Sequence, residues 1–399
     1  MDYLECFFCQ KKYPFDPFNT FCPKCQEPLL FSPLVKEKKF SLEEAHPLEK
    51  TLDFLPLSKV DLNLSLGEGS TPLIKLKHLS DYYQLPPTFA KNEMFNATGS
   101  FKDRGTTVAV QKAVSLGVHK IGTVSTGNMA TSTAAYGARA RLKTFVLVKE
   151  DISSEKLLST VVYRPVLVKV KGDYGALTSK SFALGRKYSI YFMNSVDPFR
   201  VEGYKVIGFE IFLQLNHQPP QYIFAPVSSG GHLIGLMRAF LDLKQEGFIQ
   251  QLPIFVGVQA QGCSPIAQAF ASGKPKVERI ETPKTIAQAI SNPDPPGGNI
   301  LLNMIREDNG MILDVTDEEI LEAQKILAEF EGIFCQPASA TTLAGLLKLS
   351  KKMKFKTTDN IVLVITGSGL KALKAIESSQ INVHQASISD LENTLGSLL

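Results

Sequence analysis

The chain has 399 residues, 44% of them hydrophobic and 21% charged, with a formal net charge of +4; that is enough for two or three domains and a sizeable core. So small a charge excess gives no reason to expect nucleic acid or an anionic membrane as a partner. No apolar run approaches the roughly 18–20 residues that span a bilayer, and the start, Met1 to Glu5, lacks the features of a secretory signal, so a cytoplasmic location is expected.

Residues 1–32 form the first unit. Cys6-Phe7-Phe8-Cys9 is followed after twelve residues by Cys22-Pro23-Lys24-Cys25. Two such pairs on separate short turns can place four thiolates around one tetrahedral zinc, with no open position left for catalysis. The bland alternative is four free thiols in an N-terminal arm. Residues 33–65, punctuated by Pro33, Pro47 and Pro56, read as a linker wrapping onto the main body. The basic runs Lys36–Lys39 and Lys351–Lys356 read as solvated surface.

From about residue 66, short β-branched runs alternate with helical stretches. Strands are expected at 121–124, 144–148, 166–170, 222–225, 254–258 and 361–365, nearly continuous apolar runs that suit strands covered on both faces. Helices are expected at 106–116, 129–141 and 317–331, the last opened by a capping box of Thr316 and Glu319. The pattern predicts an α/β protein with mostly parallel sheets. The tail after about residue 380 is the least structured in pattern.

Three strand-to-helix junctions carry candidate chemistry, because open α/β sheets bind ligands there. The first, Asn96 to Gly105, holds Lys102 between two glycine turns just before a helix; taken alone it could be an ordinary loop lysine. In the second, Ser125-Thr126-Gly127-Asn128 opens a helix, which suits an anion and equally an ordinary cap. In the third, Ser228-Ser229-Gly230-Gly231-His232 follows a strand, and its glycines let backbone N–H groups converge on a phosphate. His232 could simply pack against its helix.

In this order, the segments resemble the fold-type II pyridoxal-phosphate enzymes, and within them the threonine synthases. The resemblance runs from about Gly67 to Leu373. It includes Gly69-Ser70-Thr71-Pro72-Leu73, Thr98 to Gly105, Glu202 to Lys205, Gln259 to Gly262, Pro337 to Ala340 and Thr366 to Lys371. It implies two open α/β domains around a cofactor cleft. The large one is built from 66–110 and 205–380, and a smaller mobile one, 111–204, is inserted in it. A zinc ribbon precedes them and a tail of 381–399 follows; homodimers are common in this fold, though the sequence itself does not give the oligomeric state.

By resemblance, Lys102 carries pyridoxal 5'-phosphate as a Schiff base and serves as general base. The loop of Ser228, Ser229, Gly230, Gly231 and His232 holds the cofactor phosphate. Asn128 meets the phenolic oxygen and Thr366 the pyridine nitrogen. Ser125 and Thr126 receive the substrate carboxylate, and Asn194, Ser195 and Arg200 grip the leaving phosphate. The implied reaction converts O-phospho-L-homoserine and water to L-threonine and phosphate. Met129, Ser229 and Gln336 depart from the threonine synthase pattern. The alternative is a sibling on the same scaffold, a threonine or serine dehydratase or a cysteate synthase-like enzyme, which would reuse Lys102.

Overall fold

The computed structural model describes residues 3–32, 37–150, 152, 154–172, 174–376 and 384–398. Three sheets organise them. The first is small and antiparallel: Tyr3–Cys6 lies between Lys12–Pro14 and Leu29–Phe31. The second has six strands, in the order Met311–Val315, Ile254–Ala260, Tyr222–Pro226, Ile361–Ile365, Thr88–Asn92 and Leu73–Lys75. All its pairs are parallel except the last. The third is a parallel sheet of four strands, Val166–Val170, Lys143–Lys149, Lys120–Val124 and Tyr191–Phe192.

The central strands are apolar throughout because helices cover both their faces. Tyr222–Pro226 and Ile361–Ile365 are buried along their whole length. Val166–Val170 departs from that expectation. It is an edge strand, so Val166 and Val168 remain 40% and 39% exposed. The capping box forms as expected: Thr316 Oγ1 accepts from the Glu319 amide and the Glu319 carboxylate accepts from the Thr316 amide. Among the described residues, no helix is long and apolar enough to cross a membrane.

Four expectations need correction or qualification. Lys38 is not solvated: its ammonium is buried between Asp242 and Glu246, tying the linker to the body; Lys36 lies outside the described residues. Gly105 is helical, not part of a turn, because the helix already begins at Lys102. The tail holds a short, exposed helix, Leu391–Leu398, and residues 381–383 lie outside the described part. The expected boundaries at 110/111 and 204/205 fall inside the helices Lys102–Ser115 and Pro198–Gln214.

Those two helices cross at a pair of glycines. A Cβ on Gly203 would stand 2.3 Å from the Arg104 carbonyl oxygen, and one on Gly105 would stand 2.9 Å from the Arg200 carbonyl oxygen. Only glycine permits so close an approach, which brings Lys102 and Arg200 together. Gly203→Ala is therefore expected to destabilise the fold by about 1–3 kcal/mol through overpacking. Thermal unfolding checks this; an unchanged midpoint would show that the crossing can relax.

Candidate active site

Lys102 opens its helix at the end of a loop fastened on several sides. Gly99, at φ +73, turns the chain, and its amide donates to Asn96 O at 2.8 Å. Thr98 donates from both its amide and hydroxyl to Asp103 at 2.7 Å. Lys371 Nζ donates to Thr98 O, and the Phe101 amide donates to Thr366 O at 3.0 Å. Beneath the loop, Arg104 is buried between Glu93 and Glu210, and Lys91 also meets Glu210. Burial pushes the Glu210 carboxyl up, but the Arg104 and Lys91 charges outweigh it and hold it well below the usual carboxylate range. Ionic partners buried on both sides give this floor a fixed geometry.

The Lys102 amine faces aromatic rings, with Nζ 4.4 Å from the Phe101 centroid and 6.0 Å from that of Tyr204. Burial, reinforced by the Arg200 charge, lowers its pKa to about 7. Near neutral pH much of it is an uncharged amine, able to act as nucleophile or base.

Arg200 is 0% exposed. Its Nη2 donates to the Lys102 carbonyl at 3.4 Å, whereas Nε and Nη1 have no partner among the described residues. The nearby Asp197 carboxylate is already engaged. It caps the helix through the Phe199 and Arg200 amides and accepts from the Tyr191 hydroxyl at 2.6 Å. Burial raises Asp197 to about 6 despite those bonds. A buried guanidinium with two idle donors is costly unless an anion arrives.

The glycine turn lies at the N-terminus of Gly231–Gln245. Gly230 has φ +94, and a Cβ on it would stand 2.8 Å from the Gly297 carbonyl oxygen; one on Gly231 would stand 2.5 Å from the Ser195 carbonyl oxygen. The glycines are thus demanded by backbone packing on the protein side as well as by any phosphate. Ser229 Oγ accepts from Asn292 Nδ2 at 2.8 Å, and Ser228 is half-buried. His232 is buried with its ring 4.3 Å from Phe101. Burial and the Lys102 charge depress it to about 3, so it is neutral.

Asn128 opens the helix Asn128–Arg139, and its Nδ2 donates to Gln336 Oε1 at 2.9 Å. Gln336 in turn donates its amide to Gly367 O, at the end of the strand Ile361–Ile365. Thr366 Oγ1 lies 2.9 Å from Ser339 Oγ. Gln336 and Ser339 are site residues that sequence reasoning passed over as roles. Their signal was the Pro337 to Ala340 segment, legible as a motif but without indication that it faces Asn128 and Thr366.

Ser125 and Thr126 share the turn before Asn128, where Ser125 Oγ accepts from the Gly127 amide at 3.3 Å. Ser195 Oγ points at the Met129 sulfur, 3.6 Å away. Asn194 is the outlier. Its Oδ1 accepts from the Val124 amide at 2.9 Å and its Nδ2 donates to Ser181, so it ties the end of the strand Lys120–Val124 to the helix Tyr174–Tyr188.

The four N-terminal cysteines also converge: their sulfur atoms lie within 4.8 Å of one another, with Cys9 and Cys22 at 3.8 Å. Gln10 and Gln26, each directly after the second cysteine of a pair, take φ of 56 and 57, so the two turns are built alike.

Residues 64–367 match the family model for pyridoxal-phosphate dependent enzymes, and the chain belongs to that family. Its architecture is the fold-type II arrangement. It is 38% identical over 374 residues to the threonine synthase of Methanocaldococcus jannaschii, covering 92% of each chain. With the threonine synthase of Methanosarcina acetivorans it shares 35% identity over 376 residues, 93% of this chain and 92% of the relative. Threonine deaminase isoform 2 from Solanum lycopersicum, in its processed form, superposes with a TM-score of 0.66 at 19% identity, over 92% of each chain. That likeness bears on fold alone.

The residues present fit the family's cofactor. Lys102, half-buried, offers an amine with no ion-pair partner among the described residues. The Gly230 turn offers a helix N-terminus with no Cβ on Gly230 or Gly231.

Proposed function

We propose that this chain is a lyase converting O-phospho-L-homoserine and water to L-threonine and phosphate. The observation that carries the reading is Arg200, a fully buried cation with two idle donor nitrogens beside Lys102. Such a fork suits a phosphate ester better than a plain hydroxyamino acid, whose leaving group needs no buried cation.

Pyridoxal phosphate, when bound, supplies the electron sink that makes Cα–H and Cβ–H acidic enough to remove. Lys102 would hold it through its amine, and the same amine would take and return protons at Cα and Cβ. Backbone amides from Ser228 to His232 hold its phosphate at a helix N-terminus. Asn128, oriented by Gln336, donates to its phenolic oxygen. Thr366, held by Ser339, offers the ring nitrogen a hydroxyl rather than a carboxylate, so less charge is drawn into the ring. Ser125 and Thr126 receive the substrate carboxylate, while Arg200 and Ser195 hold the leaving phosphate. Asn194 contributes chiefly by fixing the Ser195 loop.

The four cysteines hold a structural zinc in this reading. Sulfurs placed tetrahedrally at about 2.3 Å from a common metal are about 3.8 Å apart, matching the 3.8 Å between Cys9 and Cys22. Four protein ligands close the site to substrate. Cys22→Ser is expected to reduce bound zinc from about one per chain to near none and to lower the thermal midpoint. Metal analysis of the purified variant checks this, and undiminished zinc would refute the site.

The substrate reading is tested by incubating the purified holoenzyme with O-phospho-L-homoserine. Phosphate and threonine in equal amounts are expected. Turnover of threonine or serine to an oxo acid and ammonia, with none of the phosphorylated substrate, would point to a dehydratase instead.

A further inference from the structure

We propose that the four-cysteine module positions Arg200, acting through the ring of Phe199. The inference rests on the reading of Arg200 as the anion-binding residue. Phe199 immediately precedes Arg200 in the first turn of Pro198–Gln214 and is 0% exposed. Its ring meets Phe15 edge-on, with centroids 4.6 Å apart, and Phe31 at 4.9 Å. Both partners belong to the module: Phe31 ends its third strand, and Phe15 directly follows its second. Cys6 and Cys22 lie in the same apolar cluster as Phe31 and Phe199.

Two further contacts fix this seat. Lys112, on the helix that begins with Lys102, places Nζ 5.6 Å from the Phe15 centroid and 5.4 Å from that of Phe199. Arg238 donates to the Phe31 carbonyl at 2.8 Å and to Glu202, one turn beyond Phe199 on the same helix.

The physical logic is that of a turn with two anchors. Asp197 holds the amides of Phe199 and Arg200 at 3.0 and 3.1 Å. Both bonds run to one carboxylate oxygen, and the backbone there is held besides by the Val201 amide to the Asp197 carbonyl at 3.0 Å and by the Gly105 crossing. The Phe199 ring, wedged between Phe15 and Phe31, adds a side-chain anchor directly beside Arg200 and sets where the guanidinium lies. Phe199 is a positioning residue, and the module supplies two sides of its socket. A separate contact, Asn299 Nδ2 to Glu27 Oε1 at 2.7 Å, ties the module to the glycine-turn side. Loosening Phe15 leaves that tie untouched, so the cofactor should not register the change.

The experiment uses the zinc-loaded holoenzyme, with inorganic phosphate as the probe in calorimetry and O-phospho-L-homoserine in steady-state kinetics. Phe15→Ala is expected to weaken phosphate binding about tenfold and to raise KM similarly, the scale set by losing an aromatic pair and its packing. Its kcat should stay within about twofold and its cofactor absorbance unchanged, while Phe15→Tyr should restore both binding and KM. Should Phe15→Ala fail to fold, Phe15→Leu is read in the same way. Unchanged phosphate affinity in a folded variant would overturn the proposal, as would equal losses of kcat and cofactor absorbance, which mean general loosening. A wild-type holoenzyme that binds no phosphate overturns it too. Phosphate binding that responds to Phe15→Ala, without turnover of O-phospho-L-homoserine, would sink the substrate reading and leave the positioning intact.

Discussion

Lys102→Ala is expected to abolish turnover, by at least about a thousandfold, and with it the yellow absorbance of the lysine-linked cofactor. The loss is large because one amine does two jobs: covalent attachment and proton transfer, the latter alone worth about 10²–10⁴. The variant should fold, since Nζ makes no ion pair among the described residues and the loop is held by Thr98, Asp103 and Thr366. A pH signature accompanies this. Burial lowers the amine to about 7, so cofactor-free protein should take up pyridoxal phosphate faster as pH rises toward 7 and level off above it. The sign follows from the need for a neutral nucleophile. A lysine at its usual value of about 10.4 would instead keep accelerating to pH 10. Stopped-flow absorbance distinguishes the two, and retained yellow colour in Lys102→Ala would remove the lysine from the site.

Arg200→Ala comes second in size. Its two idle donors, Nε and Nη1, can each make a charge-assisted bond to a phosphate oxygen. Losing such bonds, worth about 1.5–3 kcal/mol each, should raise KM for the phosphorylated substrate roughly a hundredfold or more. Cofactor absorbance should be preserved. Arg200→Lys should recover little, because an ammonium cannot reproduce the planar fork. Steady-state kinetics on the two variants decide the matter. A KM near the wild-type value in Arg200→Ala would show that the guanidinium serves packing alone.

Much of this was legible in the residues, for identifiable reasons. Strands such as Ile361–Ile365 are apolar at every position, and a strand sandwiched between helices must be. The paired CxxC spacing predicts convergence of four thiols, and they do converge. The order of the three junction motifs places Lys102, Asn128 and the glycine turn at strand-to-helix junctions. What escaped was everything set by contacts between distant segments. No local pattern says that Asn194 spends its amide on Val124 and Ser181, or that Gln336 meets Asn128 across 208 positions. The burial of Lys38 was hidden because its counter-charges, Asp242 and Glu246, lie some 200 residues on. The crossing at Gly105 and Gly203 was likewise invisible, since each glycine looks ordinary until the other helix is placed against it.

The reaction proposed is carbon–oxygen cleavage of a phosphorylated amino acid, with water added at Cβ. The most direct measurement is turnover of O-phospho-L-homoserine in ¹⁸O-water, followed by mass spectrometry of both products. Elimination carries the bridging oxygen away with the phosphate, so the label should appear in the hydroxyl of threonine and not in phosphate. Label in phosphate, with homoserine as the other product, would mean phosphorus–oxygen hydrolysis and would rule out elimination.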